Sequence, residues 1–211
     1  MSENSRQNIL NKIAAAQQRR LAVINAPTVK AEDIYKQVAP DSITCFKTEL
    51  ETINGKCILC KDEESIYSQL SDFLKANNLQ EVFCKDSYIA GQLKKYNISA
   101  TNDSDKFESM IAGITTCEFL VARTGSVIVS SASESGRQMN VFPPIHIVIA
   151  HASQIVNYPE DALNAMQEKY GEQLPSCIST ITGPSRTADI EKTLVLGAHG
   201  PKEFVVFLAE L

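Results

Sequence analysis

The sequence predicts an α/β fold, and three observations predict it. From Ile53 onward, short apolar runs alternate with stretches of helical spacing, the pattern of strand–helix–strand units that pair in parallel and cover the sheet with helices. The strand-like runs are rich in β-branched residues and end at Gly, Pro or small polar clusters. The chain has 211 residues, 44% apolar and 21% charged, enough to bury a sizeable core in an ordinary globular composition.

In chain order, residues 3–20 set Ile9, Leu10 and Ile13 among Arg, Gln and Lys, which predicts an amphipathic helix. A break is expected at Asn25-Ala-Pro27, then a second short helix over residues 31–38 that Pro40 ends. This front part reads as an arm over the main domain or as a homodimer contact. The expected division is a helical arm over residues 1–50 and an α/β domain over 51–211. Residues 56–61 read as a strand, and 63–76 as a helix with Ile66, Leu70, Phe73 and Leu74 on one face. Residues 81–84 and 98–101 are further strands around a helix that Asp86 caps. Two β runs, 111–116 and 118–123, precede the Thr124-Gly125 turn, and a third follows over 126–131, so a hairpin is expected. A serine-rich loop, 130–136, and Phe142-Pro-Pro-Ile145 lead into the most strand-like stretch, 146–150. A helix over 159–170 and strands over 178–182 and 204–208 complete the pattern.

The net charge of −5 argues against broad binding to nucleic-acid backbones. No apolar run approaches the roughly 18 residues of a membrane span, and residues 1–20 are too polar for a signal peptide. A cytoplasmic location is expected. Cysteines stand at 45, 57, 60, 84, 117 and 177. Cys57 and Cys60 have Cys-x-x-Cys spacing, but within a strand residues three apart face opposite ways. Buried free thiols and no metal are the expectation.

The richest stretch for chemistry is 183–201. Gly183-Pro184 ends a strand, Ser185 or Thr187 is placed to cap a short helix, and Asp189 and Glu191 fall in its first turn. Backbone N–H groups at such a terminus, beside Arg186, form an anion site. The competing reading is a well-capped connection pinned by an Arg186–Asp189 pair. His199, between Gly197 and Gly200, sits where backbone and ligand approach closely. Three other places offer polar groups: Arg123-Thr124-Gly125-Ser126 in the hairpin turn, the serine loop with Arg137, and His146 behind Pro143-Pro144. Each has a plain structural reading, as turn, surface loop and hydrogen-bonded core histidine. His151 reads as an exposed strand end. No Gly-x-Ser-x-Gly, dinucleotide or phosphate-loop motif is present. Residue chemistry alone gives a small-anion-binding α/β protein without a legible catalyst.

At these residues the chain resembles the lactate-utilization protein C family. The carriers are Arg-Thr-Gly-Ser-Val at 123–127, Phe-Pro-Pro-Ile-His-Ile at 142–147, Gly-Pro-Ser-Arg-Thr-Ala-Asp-Ile-Glu at 183–191, and Gly-Ala-His-Gly-Pro at 197–201. Ser126 departs from the family's usual threonine and keeps the hydroxyl. The resemblance implies a lactate-utilization (LUD) domain with the three-layer α/β/α fold of the sugar-phosphate isomerase and CoA-transferase superfamily. It implies an accessory role beside two iron–sulfur partner subunits in oxidising L-lactate to pyruvate. Ferredoxin-like cysteine runs are absent here, so the clusters are expected on the partners and no cofactor on this chain. In this reading a small carboxylate or phosphate meets Arg186, with Ser185 and Thr187 donating and Asp189 orienting the arginine. His146 and His199 line the pocket, with Gly183, Arg123, Thr124 and Ser126 nearby. Two alternatives stay open. One is an independent CoA transferase or phosphosugar isomerase, for which Glu118 and Glu134 are weak candidates as nucleophile. The other is a structural interaction module.

Overall fold

The computed structural model describes residues 3–21, 37–187 and 195–210. The chain divides into two units, Met1–Lys36 and Gln37–Leu211. In the first, the predicted helix forms as α1 (Glu3–Leu21), with Ile9, Leu10 and Ile13 exposed. The break expected at 25–27 and the helix expected over 31–38 lie, but for Gln37 and Val38, outside the described residues.

The second unit opens with a helix that sequence reasoning does not assign, α2 (Ser42–Thr52). Its β-branched residues Ile43, Thr44, Thr48 and Thr52 mask the helical spacing. Its start signal is Asp41, whose carboxylate accepts the Thr44 N–H at 2.9 Å and the Thr44 hydroxyl at 2.8 Å. Phe46 and Leu50 are fully buried, which stabilises the docked helix by roughly 3–6 kcal/mol. Residues 37–50 therefore belong to the α/β unit, although the expected division put them in the arm.

The core of this unit is a six-stranded, wholly parallel sheet in the order β1-β12-β7-β4-β2-β3. These strands are β1 (Lys56–Cys60), β2 (Val82–Cys84), β3 (Ala100–Thr101), β4 (Ala112–Thr116), β7 (Ile145–His151) and β12 (Glu203–Ala209). Helices α3 (Glu63–Ala76) and α4 (Ser87–Lys95) cover one face, burying Ile66, Leu70, Leu74, Ile89 and Leu93 against Ile114, Ile147 and Phe207. Both helices start on an aspartate cap, Asp62 and Asp86, as the sequence predicts for the second.

The central parallel sheet with helices is the expected α/β fold, and its other face carries an added layer. That face is covered by α2 and by a second sheet, ordered β8-β5-β6-β9, with a further helix beyond that sheet. The strands are β5 (Phe119–Val121), β6 (Ser126–Ser130), β8 (Ile155–Val156) and β9 (Ile178–Ile181). The predicted hairpin is β5–β6, paired antiparallel from Val121↔Ser126 to Phe119↔Ile128. Leu120, Val127 and Val129 point to the central sheet, whereas Val121 and Ile128 point away and pack on Ala162 of α5 (Pro159–Tyr170). A hairpin apolar on both faces needs cover on both, which is why a sheet lies between the central sheet and α5.

Cys57 joins the cluster under α2 and Cys60 the cluster under α3, so the Cys-x-x-Cys pair straddles the sheet. All six cysteines are free, and burial pushes the Cys57 and Cys60 thiols up to about 12 and about 11.

Candidate functional site

Apart from the serine loop, the stretches singled out in the sequence meet near the start of β7 and β12. The Pro144 carbonyl accepts the Lys202 and Glu203 N–H groups at 2.8 and 3.1 Å. The Ser185 N–H donates to the Pro201 carbonyl at 2.8 Å, and the Gly197 N–H to the Ser185 carbonyl at 3.0 Å. The hairpin turn joins through the Ser126 and Thr182 hydroxyls, 2.8 Å apart. Gly183 follows, packed so closely that a Cβ there would sit 2.9 Å from the Ile53 carbonyl oxygen.

The helix cap predicted at Ser185 does not form. Arg186–Thr187 is extended (β10) and pairs antiparallel with Val195–Leu196 (β11). Thr187 and the β-branched Val195 favour the ladder over a helical turn. Ser185 therefore starts no helix, and the residues that would follow a cap at Thr187, Asp189 and Glu191 among them, lie outside the described residues. Arg186 and His199 are exposed, as are Val195 and Leu196.

The remaining expected site residues are turned into the fold. Arg123 Nη1 lies 2.7 Å from Glu49 Oε1 in a half-buried ion pair that ties the hairpin to α2. Thr124 Oγ1 is buried without a hydrogen-bond partner among the described residues. His146 is fully buried; its Nε2 lies 2.8 Å from Thr115 Oγ1 and its ring 5.2 Å from that of Phe204, while Nδ1 has no partner among the described residues. Burial lowers its pKa to about 3, so it is neutral near pH 7. Beside it in register is Gly113, where a Cβ would meet Met139 Cε at 2.7 Å and Pro143 Cγ at 2.8 Å. The stiff Pro143-Pro144 step thus closes the core over Gly113.

A second constellation lies at the opposite, carboxyl end of the central strands, where open parallel sheets bind ligands. Just past β4, Glu118 is only 8% exposed. Its Oε1 accepts the Ser130 hydroxyl and the Tyr170 phenol, the latter at 2.8 Å, and its Oε2 accepts the Lys169 ammonium at 2.7 Å. Burial pushes the carboxyl upward, but these hydrogen bonds and the Lys169 charge outweigh it and hold the pKa below the ordinary value. The hydrogen bond to Glu118 in turn raises that of Lys169. Around them is a polar cavity of about 210 Å³ that Thr116, Cys117 and Ser133 also line.

The serine loop lines one side of this cavity and is tied down at several points. The Ala132 N–H donates to Ser130 Oγ at 3.1 Å, and Arg137 Nη2 to Ser176 Oγ at 2.5 Å. Glu134 accepts the Ser87 N–H at 2.7 Å and the Ser87 hydroxyl at 3.1 Å, at the N-terminus of α4. Of the two weak nucleophile candidates, only Glu118 lines the cavity. Two larger hollows, about 300 and 450 Å³, lie around residues 78–81 and hold no comparable buried charge network. Among the described residues, no cluster of three or more His, Cys, Asp or Glu side chains is placed to hold a metal ion.

Sequence reasoning missed Lys169 and Tyr170 as site residues. The available signal was Glu118 itself, a lone acid beside the apolar run Phe119–Val121, since such an acid needs partners when buried. Those partners are 12, 51 and 52 residues away, so spacing does not reveal them.

Comparison with known proteins places these features in a family. The model of the LUD domain matches residues 43–209. Lactate utilization protein C of Bacillus subtilis is 28% identical over 227 aligned positions, covering 93% of this chain and 92% of that protein. The Bacillus licheniformis protein of the same name is 37% identical over 100 residues, a match spanning 46% of this chain and only 42% of its relative. Among solved structures, a DUF162 family protein from Deinococcus radiodurans superposes with a TM-score of 0.61 at 16% identity, covering 80% of this chain and 96% of that one. That likeness shows the shared α/β fold. With the family match spanning both the strand-end cavity and the motif knot, the chain belongs to the LUD domain family.

Proposed function

We propose that the chain is an accessory component of an L-lactate utilization system, which oxidises L-lactate to pyruvate, and that it binds a small anion in the Glu118 cavity. The observation that carries the pathway is the match over 93% of this chain to a protein named for lactate utilization. The observation that favours the cavity is a buried carboxylate and a half-exposed ammonium held together at the carboxyl end of the sheet. In this reading the electrons pass to iron–sulfur clusters on partner subunits, and this chain carries no redox group. The hairpin of β10 and β11 offers those partners a contact surface, because Arg186 is exposed beside Val195 and Leu196. No helix of the described residues is long and apolar enough to cross a membrane.

The test is a strain deleted for this gene, grown on L-lactate as sole carbon source, with tagged chain used to co-purify its partners. Failure to grow, rescued by the gene, with iron-containing partners retained on the tag, is the expected result. Normal growth of the deletion strain, with no second copy of the gene, would remove the lactate assignment. An independent transferase or isomerase rests on Glu118 alone; turnover of an acyl-CoA or a phosphosugar by the isolated chain would bring that reading forward.

A further inference from the structure

The unused hydrogen-bonding capacity in the cavity specifies a ligand more narrowly than "small anion". Glu118 Oε1 is engaged twice, by Ser130 and Tyr170, but Oε2 takes only the Lys169 ammonium and keeps an acceptor position. Lys169 gives one of its three N–H groups to Glu118. The ammonium also faces Tyr170, its Nζ 5.3 Å from the ring centre, and with 53% of the side chain exposed it keeps donor capacity for an incoming group. The cavity therefore presents a bare acceptor on an ionised carboxylate immediately beside a cation with free donors. An anion alone satisfies the lysine but brings a second negative charge next to Glu118 with nothing to bridge them. A ligand carrying a hydroxyl donor one carbon from its carboxylate satisfies both. Size agrees: about 210 Å³ is below the roughly 300–1,000 Å³ of pockets for larger ligands, so a nucleotide or CoA body does not fit inside.

We infer that the Glu118–Lys169 cavity is a 2-hydroxycarboxylate site. The ligand's hydroxyl donates to Glu118 Oε2 and its carboxylate pairs with Lys169 Nζ, while the Ser133 and Thr116 side chains line the remaining wall. The site reads two groups at once, so it separates a hydroxy acid from the oxo acid and from the plain acid. Naming L-lactate as the ligand rests on the pathway proposed above; the two-point recognition rests on the cavity alone. Both residues that read the ligand come from outside the family motifs at 183–201, since Lys169 lies in the last turn of α5 and Glu118 precedes β5. No bond is made or broken in this step.

The test is calorimetric titration of the full chain with L-lactate, pyruvate and propionate, repeated on Lys169→Met and Glu118→Gln. Lys169→Met removes the exposed partner and leaves Glu118 its Ser130 and Tyr170 hydrogen bonds, and circular dichroism checks that the fold is kept. The expected outcome is saturable L-lactate binding, with pyruvate and propionate each weaker by about ten-fold or more for want of the hydroxyl donor. Lys169→Met should weaken L-lactate by a similar factor. Equal affinity for propionate and L-lactate overturns the two-point reading, and so does unchanged binding in folded Lys169→Met. Failure of L-lactate to bind, in a protein whose deletion still abolishes growth on lactate, overturns the site and leaves the pathway standing. Selective binding in a protein whose deletion leaves that growth normal supports the site and removes the pathway.

Discussion

Replacing Gly125 by alanine probes the joint on which the second sheet and α2 meet. Gly125 has φ +60°, and a Cβ there would lie 2.3 Å from the Leu50 backbone nitrogen and 2.6 Å from the Glu49 carbonyl carbon. Left-handed backbone costs an L-residue about 1–2 kcal/mol. Overpacking against atoms that cannot rotate away adds roughly 1–3 kcal/mol, because α2 must shift as a body. The expected loss is about 3 kcal/mol, or some 6–12 °C in Tm for a domain of this size. Two controls separate these costs. Gly136→Ala keeps the positive φ, +66°, with nothing within 4 Å, so only the conformational part, about 1–2 kcal/mol, should appear. Gly91→Ala, inside α4 and equally uncrowded, should raise stability by about 0.5–1 kcal/mol. Urea unfolding of the three variants reads the order directly, and hydrogen exchange should show faster opening of α2 in Gly125→Ala alone. A Gly125→Ala protein as stable as Gly136→Ala would refute the close docking of α2 on the hairpin turn.

Acid should weaken the fold through His146. Its pKa is near 3 when folded and about 6.5 when unfolded, so the unfolded chain binds the extra proton between those values. The contribution is fully present above pH 6.5 and is lost on acidification by up to about 1.4 kcal/mol per pH unit, a slope that His146→Gln should remove in urea titrations. Glu118 acts in the same direction, since its lowered pKa gives stability present above the ordinary carboxylate range and lost as pH falls through it. Glu118→Gln should therefore flatten the acid limb of the stability curve. Ser126→Ala removes the 2.8 Å bond to Thr182 and should cost about 1 kcal/mol in thermal melts. Arg186→Ala, on an exposed hairpin, should change stability by less than about 0.5 kcal/mol and leave L-lactate titrations unchanged. The same variant should lose co-purifying partner subunits; retention of them would take Arg186 out of the partner surface.

Local signals in the sequence are sufficient for most of the central sheet and its helices. Helices α3 and α5 form over 63–76 and 159–170 as periodicity predicts, since each has a clear start signal and an apolar stripe. The hairpin at 119–130 is equally legible from its Thr-Gly turn. What escapes is set by tertiary context. Helix α2 forms through four β-branched residues because burial of Phe46 and Leu50 outweighs their weak propensity. Arg186–Thr187 becomes a strand because Val195–Leu196 supplies the partner ladder, a pairing no local pattern announces. The motif stretches do come together, but largely through backbone bonds and buried contacts such as Ser126–Thr182 and Pro144–Lys202. The Glu118 network was legible only as an acid out of place, because its partners arrive from β6 and the end of α5.

Complementation of the deletion strain by Lys169→Met, at protein levels matched to wild type, tests the central claim most directly. Growth is compared on L-lactate and on pyruvate, which enters below the oxidation step. The wild-type chain should restore growth on L-lactate, and Lys169→Met should fail there while growth on pyruvate remains normal for both. Full rescue on L-lactate by a folded Lys169→Met protein would contradict the account, because the cation that pairs with the ligand would then be dispensable.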